Sequence, residues 1–177
     1  GDSGNSRSTD EDIKQAHTFV KIEDNTKQLE QQSKEELAVK QQEIDKKNAA
    51  IAEEMRKAEE RNQKIILAGD LKNKGDELAF AERYIESIDK YEEAKKLYTE
   101  LDLKGETEYL EYKIKRNEGY LYELQGDQAY KAKKWIDAEQ KYKMSADSFD
   151  KAGDISEEVK SRVEKKLAKA TRKVNKR

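Results

Sequence analysis

The sequence predicts an all-α protein: a long N-terminal helix, two helical hairpins and a C-terminal capping helix. Three observations carry that expectation. The 177 residues include no proline, the residue that most strongly disrupts a helix interior. Apolar residues recur at helical spacing along nearly the whole chain. Charged residues make up 43% and hydrophobic residues 34%, about 38% with the eight glycines added, against about 25% and 45–50% (glycine included) in an average globular domain. That composition suits thin, solvent-bathed helices rather than one thick two-layer globule.

The same numbers narrow the function classes. With no cysteine, a disulfide scaffold, a zinc finger and thiol catalysis are excluded. No run of 18 apolar residues occurs, so no membrane-spanning helix is expected, and no secretory signal stands at residue 1. The net charge of −2 exerts no overall pull toward nucleic acid or anionic lipid. It is unevenly spread, however, with +8 on residues 160–177 and −10 on the remainder.

Residues 1–9 are small and polar and are expected as a disordered leader. Thr9 with Asp12 three residues later resembles a capping box, which places a helix start there. Residues 10–67 form the expected charged arm, rich in Lys, Glu, Gln and Ala, all favourable in helices. Leu37, Ile44, Ile51, Ala58 and Ile65 recur every seventh residue. Gln41, Asn48, Met55 and Asn62 follow four residues after the first four. This pattern predicts a coiled coil, and thus a homodimer through residues 37–65, with buried asparagines specifying partner number. The alternative is a lone helix held by Glu–Lys pairs. Ile22 and Leu29 are out of phase with the seam, and Asp24-Asn25-Thr26 is a candidate interruption. Some 55–60 helical residues would reach roughly 80–90 Å, a spacer or an arm.

Residues 68–177 differ in kind: all nine tyrosines and the single tryptophan lie between Tyr84 and Tyr142. Sliding the chain by 51 residues superimposes Gly75-Asp76 on Gly126-Asp127, Ala81 on Ala132, Ile85 on Ile136 and Lys90-Tyr91 on Lys141-Tyr142. Such self-similarity predicts a duplicated helical hairpin. Turns are expected at Glu82–Arg83 and Lys133–Lys134, with further breaks at Lys104-Gly105 and Gly153-Asp154, where glycine suits a left-handed cap. One helix of about 26 residues is expected from Glu106 to Lys131. Tyr84, Tyr91, Tyr98, Trp135, Tyr142 and Phe149 fall at packing positions. Ile155, Val159, Val163, Leu167, Ala170 and Val174 form the apolar stripe of a helix that closes the last repeat.

These residues resemble the tetratricopeptide repeat, whose pattern is aromatic-x2-Leu-Gly-x2-Tyr followed by Ala-x3-Phe-x2-Ala. The second copy has Tyr122-x2-Gln125-Gly126-x2-Ala129, then Ala138-x3-Tyr142-x2-Ser145. The first has Leu71-x2-Lys74-Gly75-x2-Leu78, then Ser87-x3-Tyr91-x2-Ala94. The terminal proline is absent and the offset is 51 rather than ~34. The resemblance implies a concave groove lined by the first helix of each hairpin. Its counterparts here are Lys72, Asp76 and Phe80 in the first copy, and Tyr120, Glu123, Asp127, Tyr130 and Lys131 in the second. Tyr130 in particular is expected as an exposed anchor, since the duplication sets it opposite Ala79, whereas Tyr142 stands opposite Tyr91. The chaperone-type carboxylate clamp is not matched, because Asp76 occupies its asparagine position.

Catalytic constellations are not found in the sequence. His17 is the only histidine and lies in the charged arm, so no Ser–His–Asp arrangement is available near the tyrosines. Glu53-Glu54, Glu92-Glu93 and Glu157-Glu158 flank lysines on solvated faces, and no calcium-loop, di-metal or phosphate-loop spacing occurs. The expectation is a non-enzyme without cofactor or metal: an adaptor that binds another protein through its hairpins. The alternatives are a structural coiled-coil tether and a basic-tail binder of nucleic acid or anionic membrane. An extracytoplasmic setting, as for a lipoprotein lacking its signal and lipid-bearing cysteine, is favoured over a cytoplasmic one. Membrane contact is expected only through such an anchor or the basic tail, and nucleic acid is the less favoured partner.

Overall fold

The computed structural model describes residues 3–176, with side chains from Thr9 onward. All regular structure among them is helical: α1 (Ser3–Phe80), α2 (Tyr84–Glu100), α3 (Lys104–Lys131), α4 (Trp135–Ala152) and α5 (Glu157–Asn175). None of these helices is long and apolar enough to cross a membrane. The chain divides into two units, Gly1–Lys57 and Ala58–Arg177.

In the first unit the backbone is helical from Ser3, and every described side chain is exposed. Residues 3–9, expected as a leader, are therefore part of α1; Gly1 and Asp2 lie outside the described residues. Once a helix is nucleated, each added residue gains one backbone hydrogen bond at little further cost. The candidate interruption at Asp24-Asn25-Thr26 is likewise helical. Thr26 Oγ1 donates to Ile22 O at 2.8 Å, so its hydroxyl is satisfied without breaking the ladder.

In the second unit α1 continues past the boundary expected at 67/68. Gly69, the lone glycine there, costs only about 1 kcal/mol in a helix interior. From there α2 packs on α3, α3 on α4, and α4 on α5. Three connections share one geometry. Glu82, Asp102 and Lys133 have φ of 61°, 57° and 61°. The next amide of each turn reaches back five residues (Arg83 N to Leu78 O, Leu103 N to Tyr98 O, Lys134 N to Ala129 O), each at 2.9 Å. These are Schellman caps, which satisfy the orphan carbonyls of the preceding helix. The first and third fall where the sequence places turns. The second does not: Lys104 and Gly105 open α3, and the left-handed residue is Asp102. At the fourth junction Gly153 does adopt a left-handed φ of 91°, and Ser156 caps α5 by accepting from Val159 N at 3.3 Å.

The core is two aromatic clusters. One gathers Ala68, Tyr91, Ala94, Tyr98, Leu101, Leu110 and Ile114. The other holds Ala138, Tyr142 and Ala170, with Ala129, Tyr130 and Leu167 against it. The repeated Gly–Tyr pair has a steric origin. A Cβ on Gly75 would sit 2.5 Å from the Tyr91 ring, and one on Gly126 would sit 2.6 Å from the Tyr142 ring. Each ring lies directly on the neighbouring helix backbone, which only glycine permits.

Candidate partner-binding groove

The 51-residue correspondence extends from ring contacts to polar contacts. Asp76 accepts from the Tyr91 hydroxyl at 2.5 Å and from Lys113 Nζ at 2.5 Å. Asp127 accepts from the Tyr142 hydroxyl at 2.7 Å and from Lys166 Nζ at 3.0 Å. In each set an aspartate on one helix takes a tyrosine from the next helix and a lysine from the one after it. Buried Ser87 adds a relay, donating to Gly75 O at 2.6 Å and accepting from Asn117 Nδ2 at 2.9 Å.

Glu123 anchors the second set. It is only 5% exposed. It receives Arg162 through Nε at 2.7 Å and Nη2 at 2.6 Å, and Lys166 Nζ at 2.8 Å. Burial alone would raise its pKa, but the Arg162 and Lys166 hydrogen bonds outweigh burial and hold it below the usual carboxylate range. Asp76 behaves alike: burial opposes ionisation, and the Lys113 and Tyr91 bonds overcome it. Burial and then the aspartate bond push the Tyr91 and Tyr142 phenols well above their ordinary pKa. Through these contacts each aspartate ties three helices together.

The structure sorts the eight groove candidates into four groups. Tyr120, Glu123 and Asp127 line one open cleft of about 320 Å³, together with Glu82, Tyr84, Leu124, Arg162 and Lys166. Tyr120 stacks on Tyr84 with ring centroids 5.6 Å apart and meets Phe149 edge-on at 5.1 Å. Lys72 and Asp76 belong to a neighbouring cluster, where Lys72 Nζ lies 3.5 Å from Glu106 and 5.6 Å over the Tyr109 ring. Phe80 is 93% exposed and Lys131 is exposed in the last turn of α3; neither lines the cleft.

Tyr130 corrects an expectation. It is half-buried, packs on the Ala138–Tyr142–Ala170 cluster and meets Trp135 edge-on at 5.0 Å. Opposite Ala79 in the duplication, it fills space that Trp135, in place of Tyr84, helps to frame. It is a packing residue, not an exposed anchor.

Sequence reasoning missed Lys113, Arg162, Lys166 and Tyr84 as site-builders. Lys113 is 7% exposed and also lies 4.8 Å over the Tyr109 ring. Lys113 and Lys166 play matching roles but stand 53 residues apart, so a fixed slide of 51 does not align them. Arg162 and Lys166 looked like part of a solvated basic face. No pattern in residue order marks them, because a buried, paired charge and a solvated one look alike in sequence.

Among the described residues no cluster of metal-ligating side chains occurs. No protein-family model, curated protein or solved structure matches the chain.

Proposed function

We propose that the chain is a non-catalytic interaction module whose tetratricopeptide-like hairpins hold a segment of another protein in the Tyr84–Tyr120 cleft. The observation that carries this reading is the cleft wall itself. The stacked tyrosines are half-buried, and Leu124 beside them is 39% exposed. The flanking charges are already fixed by the Glu123 and Asp127 contacts. Half-buried aromatic rings and an accessible leucine, set among charges that already have partners, suit a peptide anchored by a side chain. The duplicated Gly–Tyr and Asp–Tyr contacts support the repeat assignment, and the 28-residue α3 is its main departure from the family.

The basic-tail alternative loses ground on one observation. Arg162 and Lys166 are spent on Glu123 and Asp127, and Lys173 lies 5.3 Å over the Trp135 ring. The tail charge is thus partly internal.

The test uses the full chain as bait. Leu124→Arg should block the cleft and abolish capture of the partner, because a bulky cation projects where the anchor docks. Ile136→Arg, at a comparably exposed position (46%) outside the cleft, should leave capture unchanged. Both variants should melt near wild type. Equal capture by the two variants would overturn the cleft assignment.

A further inference from the structure

We infer that two copies of this chain pair through residues 37–65 of α1 as a parallel, in-register coiled coil, aligned by Asn48 on Asn48 and Asn62 on Asn62. This goes beyond the interaction-module reading and stands without it. Leu37, Ile44 and Ile51 are 63%, 50% and 57% exposed, and Met55 is 67% exposed. Scattered surface aliphatics are ordinary. A column repeating every seventh residue is not, because it returns to one face only when two helices wind around each other. In the first unit every described side chain is exposed, so within that unit nothing covers the column.

The interleaved column decides the occupant and its direction. Gln41, Asn48, Met55 and Asn62 follow the aliphatic positions by four residues. In a parallel, in-register pair each of these positions meets its own copy. An amide then faces an amide, each with both donors and an acceptor, and Met55 faces Met55. In an antiparallel pair the two columns meet each other instead. Asn48 would face Ile51 and Asn62 would face Leu37, leaving amides unsatisfied against aliphatic chains. A slip of one heptad sets Asn48 against Gln41 or Met55 and also loses overlap. A second copy in register is thus the partner that satisfies every layer. Charges flanking the seam are mixed: Lys40 lies beside Asp45 of the second copy, whereas Glu54 lies beside a like-charged Glu59. Direction therefore rests on the amide layers. The consequence is bivalency, since each assembled molecule carries two hairpin units.

The experiment takes the full chain, which has no native cysteine. Light scattering at concentrations well above micromolar should give twice the chain mass; a monomer mass overturns the proposal. In a glutathione redox buffer, Asn48→Cys should form its disulfide dimer at least ~10-fold faster than Lys46→Cys, which points away from the seam, because pairing raises the effective thiol concentration. Equal rates overturn the in-register geometry. The double variant Ile44→Lys/Ile51→Lys should be monomeric while the near-ultraviolet signal of Trp135 shows the hairpins intact. A double variant that remains dimeric places association elsewhere and refutes the seam.

Discussion

Replacing Gly126 with alanine isolates the contact that the duplicated Gly–Tyr spacing encodes. In a helix interior this change ordinarily stabilises by about 1 kcal/mol, because alanine loses less backbone freedom. Here the new methyl would stand 2.6 Å from Tyr142 Cε1, 2.7 Å from Cδ1 and 3.1 Å from Cζ. All three distances are below normal carbon–carbon contact, and Tyr142 is only 2% exposed, so the ring has nowhere to retreat. Overpacking of this kind costs about 1–3 kcal/mol. Moving the ring also strains the Tyr142–Asp127 hydrogen bond, and bonds to charged groups are worth ~1.5–3 kcal/mol. The expected net loss is about 2–4 kcal/mol, a fall in Tm of roughly 10 °C for a unit of this size. The control is Gly69→Ala, also within a helix but with nothing within 4 Å of the added methyl. It should raise stability by roughly 0.5–1 kcal/mol. Urea unfolding followed by the circular dichroism of the tyrosines and by Trp135 fluorescence reads both. Shifts of the same sign in the two variants would refute the close-approach argument.

Two further outcomes follow from the caps and the ion clusters. Glu82 and Lys133 hold left-handed φ, which costs a non-glycine residue roughly 1–2 kcal/mol. After allowing for glycine's greater freedom when unfolded, Glu82→Gly and Lys133→Gly should each stabilise by ~0.5–1 kcal/mol in thermal melts, and any loss contradicts the cap geometry. Glu123 and Asp76 are held below their ordinary pKa values of 4.5 and 3.8. Their contribution is therefore complete above those values and is lost as pH falls through the depressed range. Tyr91 and Tyr142 are raised above 10.0, so theirs is complete below pH 10.0 and lost at higher pH. Stability should thus fall at both extremes, and ultraviolet titration should show Tyr91 and Tyr142 ionising only on unfolding. All nine tyrosines ionising together in the folded protein would contradict the paired Asp–Tyr contacts.

Much of the architecture was legible in residue order because it rests on local physics. Helical spacing and the absence of proline act over three to seven residues, and they placed the turns at Glu82–Arg83 and Lys133–Lys134 and the long α3. The recurrence of Gly75 and Tyr91 as Gly126 and Tyr142 was visible too, since a ring lying on a backbone demands glycine at a fixed offset. The turn at Asp102 was not legible: its cap is made of backbone hydrogen bonds that no residue type demands, and Gly105 beside it drew attention to the wrong position.

What tertiary structure alone decided is the state of the polar residues. By sequence, Asp76, Glu123 and Asp127 were acids on a groove-facing helix, Arg162 and Lys166 were members of a basic tail, and Tyr130 was an aromatic without a counterpart. Glu123 of α3 meets Arg162 of α5 across 39 residues, and Asp76 of α1 meets Lys113 of α3 across 37. A solvated charge and a buried, paired charge have the same local sequence signature. The difference lies in desolvation, which exists only once another helix has displaced the water, and in the partner that helix supplies to repay it.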